Sequence, residues 1–341
     1  MALEFDLIET YFKPLSQGLS SEELGIGDDG AVLSVPENHQ MVVVTDTLVC
    51  GVHFPQETSA YDIGWKSVAV NLSDLAAMGA TPGGYSLGLT LPDNDQAWLK
   101  GFARGLRDIT ERFDIPLIGG DTTKGPLTLT VTAHGWVPKQ QAILRSGAQI
   151  GDFICVTETL GDGALGLKLA QSSLDKVFNT ELTELERQGL LSALNRPVPQ
   201  LDIAPDLRCI VTSAIDISDG LLADLGHILE QTNDKEHQQN SALVLEFGAK
   251  IELTQLPLSS GVEKYLSTTG DWSLILSGGD DYQLCMTVNP LNWSILQKVA
   301  QQHNVKITQI GQVVQGTGVQ CLMSGKSVED DFLSMTGYSH F

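Results

Sequence analysis

Hydrophobic residues in the first part of the chain alternate between strand spacing and helix spacing. "MVVVTDTLV" and "LTLTVTAHGWV" are rich in β-branched residues and predict strands. "DIGWKSVAVNLSDLAAMGA" and "DQAWLKGFARGLRDITERF" have apolar residues three and four positions apart and predict helices. Shorter elements are predicted as a helix over residues 1–14 and strands over "AVLSV", "GGYSLGLTL" and "PLIGG". This alternation indicates a mixed α/β fold.

The pattern restarts near residue 150 with a loop and a strand in "GAQIGDFICVTETLG". "CIVTSAIDISDGLLADLGHILE" predicts a strand, a tight turn and a helix, and the polar "QTNDKEHQQNS" after it predicts a surface loop. We therefore expect two α/β domains, residues 1–149 and 150–341. No linker rich in Pro, Gly or Ser separates them, so we expect them to pack together.

The charge balance narrows the class of partner. The chain has 42 Asp and Glu against 20 Lys and Arg, a net charge of −22. Such a chain repels nucleic-acid backbones and anionic membranes, so we expect neither as a partner. A phosphate ligand would need cations to mediate its binding.

Several features predict a cytoplasmic protein. The five cysteines are scattered and odd in number, as is typical of reduced thiols. The N-terminus has no basic region of a signal peptide. No apolar run approaches the ~18 residues of a membrane span.

The stretch "LGIGDDGAVL" matches the glycine spacing of a dinucleotide-binding loop, and Asp46 follows where that motif has its ribose-binding acid. The motif requires a strand before it and a helix after it, whereas the flanking sequences are polar and β-like respectively. Asp28 and Asp29 would also repel a pyrophosphate. Two interpretations remain: a glycine-rich turn closed by Asx-type hydrogen bonds, and a metal-binding loop.

Further aspartates stand where an apolar run meets a small or hydroxyl residue. They are Asp28, Asp29, Asp46, Asp74, Asp121, Asp216, Asp219, Asp280 and Asp281. Each alone is typical of a turn or a helix cap. Asp74, however, lies within an apolar helical stretch with Asn71 on the same face and few cations nearby, where an unpaired carboxylate would be costly.

A divalent cation would supply the missing charge. Aspartate oxygens together with Thr45 suit Mg²⁺, which prefers oxygen ligands. Histidine is sparse and no cysteine cluster appears, so zinc is not expected. Because the acids are spread over both halves, we expect a site at a domain or subunit junction.

Familiar ATP-binding signatures are missing. "GVQCLMSGKS" contains Gly-Lys-Ser, but Gln320 stands where a Walker loop has its first glycine. Protein-kinase signatures are absent as well. Any ATP would be bound through metal-bridged phosphates in a different architecture.

Taken in order, seven motifs resemble those of the thiamine-monophosphate kinases, a family of the aminoimidazole-ribonucleotide-synthetase-like superfamily. They are "GIGDDGAV", "VVTDTLVCGVHF", "AVNLSDLAAMGATP", "LIGGDTTKGP", "LRSGAQIGD", "AIDISDGLLADLGH" and "LSGGDDYQL". The resemblance extends from residue 1 to the closing "GYSHF".

The resemblance implies that ATP phosphorylates thiamine monophosphate to thiamine diphosphate by direct in-line transfer, assisted by several Mg²⁺ ions. It implies the two-domain architecture of that superfamily. The N-terminal domain (1–149) would bind metal and nucleotide and form a shared barrel in a homodimer, and the C-terminal domain (150–341) would complete the active site.

The resemblance also implies roles for individual residues. The metal ligands would be Asp29, Thr45, Asp46, Asp74, Asp121, Asp216 and Asp219. The ATP contacts would be Gly120, Asp121, Arg145 and Ser218, and the substrate contacts His53, Asp280 and Met335. No covalent nucleophile is expected; among the ligands, Asp46, Asp74 and Asp121 would be essential. Alone, His53 is typical of a loop histidine and Arg145 of a surface arginine.

The chain departs from the family pattern at two positions on the acceptor side. Asp280 replaces a glutamate, and Met335 stands where the family often has a tryptophan. Selenophosphate synthetases carry a reactive Cys or selenocysteine near the N-terminus, and the hydrogenase-maturation relatives end in a cysteine tail; this chain has neither. Aminoimidazole ribonucleotide synthetase and a non-catalytic, acidic cation-binding protein remain as alternatives.

Overall fold

The computed structural model describes residues 4–16, 18–239 and 245–328. Its contacts divide the chain into two compact units. The first comprises the residues up to Leu75 together with Ala80–Gln140, and the second comprises Ala76–Gly79 and the residues from Gln141 on. The chain thus enters the second unit before the boundary predicted at residues 149 and 150.

The first unit is built on a four-stranded sheet. Its strands are β1 (His39–Val49), β2 (Thr81–Leu91), β3 (Leu117–Lys124) and β4 (Thr128–Pro138), in the spatial order β1-β4-β2-β3. β4 pairs antiparallel with both β1 and β2, and β2 pairs parallel with β3. The helices are α1 (Glu4–Leu7), α2 (Ala60–Ala77) and α3 (Gln96–Phe113).

The two faces of this sheet differ. Every second residue of β4, including Leu129, Val131 and Ala133, is buried in the core, and the residues between them are only half-buried. On β1, Met41 and Val43 are 52% and 51% exposed on the outer face. One face therefore carries the core of the unit, and the other presents apolar side chains to its surroundings.

Two glycines let α2 and α3 pack closely. A Cβ atom at Gly105 of α3 would lie 2.0 Å from the Tyr61 carbonyl oxygen, and one at Gly64 of α2 would lie 2.4 Å from that of Phe102. The backbones can approach this closely only without side chains at those positions. Asp95 caps α3 by accepting a hydrogen bond from the Ala97 N–H (2.8 Å), which fixes where the helix begins.

The second unit contains a seven-stranded sheet. Its strands are β5 (Phe153–Thr157), β6 (Val211–Asp216), β7 (Phe247–Glu252), β8 (Leu284–Val288), β9 (Ile307–Gln315), β10 (Val319–Met323) and β11 (Lys326–Ser327). The spatial order is β11-β10-β7-β9-β5-β8-β6, and of these pairs only β10 with β7 is parallel. All five residues of β8, near the centre, are buried.

The helices of the second unit follow the same chain order. They are α4 (Asp162–Ala170), α5 (Lys176–Glu181), α6 (Glu184–Asn195), α7 (Ala204–Leu207), α8 (Leu221–Gln239), α9 (Ser260–Thr269), α10 (Ser273–Leu276) and α11 (Trp293–His303). The predicted mixed α/β fold class is confirmed. No helix within the described ranges is both long enough and apolar enough to span a bilayer.

Three local predictions were wrong. "AVLSV" forms no strand: its Val32 only bridges Leu24, because no neighbouring strand is available to extend the pairing. The N-terminal helix is broken, with α1 followed by one π-helical turn and a 3₁₀ turn up to Ser16. The polar stretch after Glu230 continues α8 to Gln239, because Asn233 bonds both the N–H and the C=O of Phe247 on β7.

Candidate active site

A cleft of about 660 Å³ in the first unit collects several predicted site residues. One wall is the glycine-rich loop 25–31, another is residues 117–122 of β3, and residues of the N-terminal segment complete it. The cleft is lined by Asp28, Asp29 and Asp121. The structure therefore brings two distant acidic motifs of the sequence to the same cleft.

The glycine-rich loop is closed by short-range hydrogen bonds. Leu24 and Val32 exchange two backbone hydrogen bonds of 2.9 Å each, and Asp28 Oδ1 accepts the Asp29 N–H at 2.9 Å. Glu23 accepts the N–H groups of Ser34 and Ser20 (3.0 Å each), and these bonds lower the pKa of the Glu23 carboxyl. No strand precedes the described loop and no helix follows it, so the loop lacks the setting of a dinucleotide site.

Gly120 determines how β3 presents Asp121. A Cβ atom at Gly120 would lie 2.0 Å from the Leu87 carbonyl oxygen on β2, and the residue has φ +153°. Only glycine satisfies both conditions. The next residue, Asp121, is exposed in the cleft.

Asn71 ties β1 to α2 beside two more predicted ligands. Its Oδ1 accepts the Asp46 N–H (3.1 Å), and its Nδ2 donates to the Ser67 carbonyl (3.1 Å). Asn71 is completely buried, whereas Asp74, three residues further along the same helix face, is half-buried. The expectation that Asp74 is a fully buried carboxylate is thus corrected: the position opens toward solvent.

Thr45 and Asp46 point to opposite faces of the sheet, because successive strand residues alternate. The Thr45 hydroxyl lies on the outer face, 3.0 Å from the Thr132 hydroxyl on β4. One ion therefore cannot take both side-chain oxygens of this pair.

His53 lies in the turn after β1. Its Nδ1 accepts the Val49 N–H at 2.9 Å, so the proton of the neutral ring is on Nε2. The ring thus has Nε2–H left as a donor, suited to an anionic or carbonyl oxygen.

In the second unit, predicted site residues follow β6. Asp216 ends the strand, and Ser218 and Asp219 lie in the turn before α8. A single oxygen of Asp224, Oδ2, accepts the N–H groups of Ser218, Asp219 and Gly220 at 3.0, 3.1 and 3.0 Å. Burial, together with the neighbouring Asp216 and Asp219 carboxylates, raises the pKa of Asp224 to about 7.

The loop 277–283 packs directly on that turn. The Asp280 N–H donates to the Ser218 carbonyl (3.0 Å), and a Cβ at Gly279 would lie 1.9 Å from the same oxygen. Asp280 itself has φ +67°, and its Oδ1 accepts the Tyr282 hydroxyl at 3.0 Å. The predicted nucleotide residue Ser218 and the predicted substrate residue Asp280 are therefore neighbours.

Asp281 points the other way, into the protein. Its two carboxylate oxygens accept the N–H groups of Gly161 (2.8 Å) and Gly163 (3.2 Å) at the N-terminus of α4. Burial raises the pKa of the Asp281 carboxyl well above its usual range. Asp281 thus anchors the loop from which Asp280 projects.

Arg145 joins the same region through its neighbour. The Leu144 carbonyl accepts the Ala214 N–H on β6 at 3.2 Å, two residues before Asp216. The Arg145 side chain is exposed. Met335 lies outside the described residues.

Within the described part of the chain, no three His, Cys, Asp or Glu side chains lie close enough to hold a metal ion by themselves. The donor set nevertheless fits Mg²⁺. Its members are carboxylates and hydroxyls, and in the second unit three of the carboxylates, Asp216, Asp219 and Asp224, repel one another. Mg²⁺ needs only one or two protein carboxylates when phosphate oxygens and water complete its shell.

Sequence reasoning missed two residues that shape the site, Asp224 and Tyr282. The only sequence signal for Asp224 was an acid in the first turn of the helix after "SDG", which is common in helices. Tyr282 follows two aspartates that drew the attention to metal binding.

Comparison with known proteins places this geometry. The model of the AIR synthase related protein, N-terminal domain, matches residues 27–137. Thiamine-monophosphate kinase of Escherichia coli (strain K12) is 41% identical over 338 residues, covering 99% of this chain and 98% of that protein. The chain belongs to the thiamine-monophosphate kinase family.

Solved structures of the thiamine-monophosphate kinase family agree. That of Stenotrophomonas maltophilia K279a has 42% identity and a TM-score of 0.79, covering 90% of this chain and 93% of that one. AaThiL complexed with AMPPCP and TMP has 29% identity and a TM-score of 0.74, covering 100% and 99%.

The fold of this family member also explains the isolated Gly-Lys-Ser. Gly325 occupies the hairpin turn between β10 and β11, and Lys326 and Ser327 form β11. Glu252 accepts the N–H groups of Ser324 and Gly325 (2.8 Å each). These amides are engaged by a carboxylate and do not cradle a phosphate.

Proposed function

We propose that this protein transfers the γ-phosphate of ATP to thiamine monophosphate, forming thiamine diphosphate. The observation that carries the proposal is 41% identity to a thiamine-monophosphate kinase along nearly the whole of both chains. A structural relative at 29% identity is complexed with AMPPCP and TMP, an ATP analogue and the abbreviated acceptor. The acidic cleft and the two packed loops supply donors for the metal-bridged phosphates of such a reaction.

Several Mg²⁺ ions are part of the proposal. In the first unit, Asp29, Asp46, Asp74 and Asp121 would hold them, with Thr45 serving a separate ion on the outer sheet face. In the second unit the ligands would be Asp216 and Asp219. When bound, the ions supply the positive charge that offsets repulsion between ATP and the acceptor phosphate.

Nucleotide and acceptor would contact different side chains. We assign ATP contacts to Gly120, Asp121, Arg145 and Ser218. The acceptor would contact His53 through Nε2–H and Asp280 through its carboxylate, with Met335 as a further contact. Asp280 is one methylene shorter than the family's glutamate, and Tyr282 holds its Oδ1 in place.

The transfer itself needs no general base. The acceptor is a phosphate monoester whose second pKa is about 6, so its attacking oxygen is already ionised near neutral pH. The protein's contribution is to position the two phosphates in line and to neutralise their charge. We therefore expect no phosphorylated protein intermediate.

We further propose that the protein acts as a homodimer. Support comes from the outer face of the first unit's sheet, where Met41 and Val43 are half exposed beside a row of threonines on β1 and β4. A second copy placed against this face would complete a barrel and cover the apolar side chains.

The proposed location is the cytoplasm. All five cysteines are free thiols, and Cys155, Cys285 and Cys321 are buried. Unpaired buried thiols are typical of proteins from reducing compartments.

The direct test is an assay with ATP, Mg²⁺ and thiamine monophosphate, in which thiamine diphosphate is followed as its fluorescent oxidation product. We expect Mg²⁺-dependent product, with free thiamine inert and a chelator abolishing the reaction. ATP consumption without thiamine diphosphate would reject the proposed acceptor. Binding of Mg²⁺ that is indifferent to an ATP analogue, with no turnover, would support the non-catalytic cation-binding alternative.

A further inference from the structure

The turn that follows β6 is organised by a carboxylate outside the set of predicted ligands. Asp224 lies in the first turn of α8 and is 2% exposed. Its Oδ2 accepts the N–H groups of three consecutive residues, Ser218, Asp219 and Gly220, at 3.0–3.1 Å. These hydrogen bonds fix the conformation of the turn that carries the predicted ATP and metal residues.

The start of a helix preceded by a turn of consecutive N–H groups is a common site for phosphate. Here the protein's own carboxylate fills that position, so the three amides are not free for a ligand. The turn therefore presents side-chain carboxylates to its surroundings, and phosphates must be held there through cations.

The packing around the turn leaves little room for another arrangement. Gly220 has φ +118°, and a Cβ there would lie 2.7 Å from the Ser277 carbonyl carbon. On the other side, the Ser218 carbonyl accepts the Asp280 N–H at 3.0 Å. A shift of the turn would therefore also displace the backbone from which Asp280 projects.

We propose that Asp224 is a positioning residue for the kinase reaction, acting as a hydrogen-bond acceptor that holds Ser218 and Asp219 in register with Asp280. It touches neither substrate nor metal in this role. The proposal rests on the proposed function for its kinetic consequence, but its structural part stands alone. The requirement is for an acceptor oxygen at Oδ2, and the negative charge of Asp224 is dispensable.

Two variants separate acceptor from charge. Asp224→Asn keeps an oxygen that can accept the three N–H bonds, and Asp224→Ala removes it. Hydrogen exchange should show the amides of residues 218–220 at least about tenfold less protected in Asp224→Ala than in the wild type, while Asp224→Asn retains most of the protection. The amides further along α8 should keep their protection in both variants.

Kinetics supply the second readout. Asp224→Ala should lower kcat/KM by about 10- to 100-fold and raise the Mg²⁺ requirement, and Asp224→Asn should restore most of the activity. Glu252→Ala is the matched control, since Glu252 also accepts two turn amides but lies at the β10–β11 hairpin. It should expose the Ser324 and Gly325 amides without changing the kinase rate.

Each outcome decides the proposal. Loss of turnover in Asp224→Asn with the turn still protected would overturn it, because the charge itself would then be required. Full activity in Asp224→Ala would also overturn it. If Asp224→Ala does not fold, Asp224→Asn decides alone: a folded, protected and active protein supports the proposal. A wild type without kinase activity would defeat the proposed function, and hydrogen exchange would still test the turn.

Discussion

At the scale of single residues, buried polar side chains hold the acidic groups of the first unit in place. Asn71 is completely buried and uses both ends of its amide, accepting from the Asp46 backbone and donating to Ser67. Asp74 on the same helix face is half-buried. A carboxylate in this setting gains from a cation, whereas the fold itself does not depend on its charge.

The prediction for Asp74 is a loss of turnover without loss of the fold. Asp74→Asn keeps the size of the side chain and removes its charge, so Mg²⁺-dependent kinase activity should fall by at least about 100-fold. The unfolding midpoint in urea should change little. Asp93→Asn, in the exposed loop before α3, should leave activity unchanged. An Asp74→Asn protein with normal Mg²⁺-dependent activity would refute the assignment.

His134 gives a prediction for pH. Its Nδ1 is buried and makes no hydrogen bond to the described residues, and burial lowers the pKa of the ring below 6.5. The unfolded chain then binds the proton more readily, so the folded state loses stability as pH falls below about 6.5. His134→Gln should lack this part of the acid sensitivity.

The measurement is the free energy of unfolding by urea at about pH 7.5 and about pH 5.5. Wild type should lose more stability between the two than His134→Gln does. His237→Gln, at an exposed position of α8, should behave like the wild type. Equal acid sensitivity of wild type and His134→Gln would contradict the prediction.

At the scale of elements, close backbone contacts determine the packing of the first unit. Gly105 brings α3 against the Tyr61 carbonyl of α2, and Gly120 brings β3 against β2. Neither requirement follows from propensity, because glycine is a poor residue for a helix interior.

Gly105→Ala should therefore destabilise the protein by about 1–3 kcal/mol, even though alanine is the better helix former. The new methyl would lie 2.0 Å from the Tyr61 carbonyl oxygen, so the helices must separate. Gly189→Ala in α6, where a Cβ meets no neighbour within 4 Å, is the control and should be neutral or stabilising. Urea unfolding of both variants tests this, and equal effects would contradict the packing argument.

The elements also show what a sequence can predict. β1, β4, α2 and α3 follow from hydrophobic period alone, because each buries one face on the core of its own unit. "AVLSV" has the composition of a strand but no partner to pair with. The polar end of α8 has the composition of a loop, and the contact of Asn233 with β7 keeps it helical. Such tertiary contacts are not visible in a local window.

The candidate site divides in the same way. Asp28, Asp29 and Asp121 could be selected from sequence because they lie beside glycines in recognisable motifs, and one cleft indeed contains them. The contribution of Asp224 depends on three hydrogen bonds to the turn preceding its helix, which only coordinates reveal.

At the scale of the whole molecule, the outer face of the first unit's sheet predicts association between copies. Val43→Lys would place a charge on the proposed interface. Burying it unpaired should weaken dimerisation by at least about tenfold, or 1.4 kcal/mol. Leu291→Lys, at a position 87% exposed in the second unit, should not affect it. Sedimentation of both variants tests this prediction; a monomeric wild type, or an unchanged Val43→Lys dimer, would contradict it.

The central claim is direct phosphoryl transfer from ATP to thiamine monophosphate. It is tested most directly by a single turnover with ATP labelled in its γ-phosphate, excess protein, Mg²⁺ and thiamine monophosphate. The account predicts that the label moves into thiamine diphosphate in proportion to the ATP consumed, with none on the protein at any time. Label released as inorganic phosphate without thiamine diphosphate, or held on the protein before product appears, would contradict it.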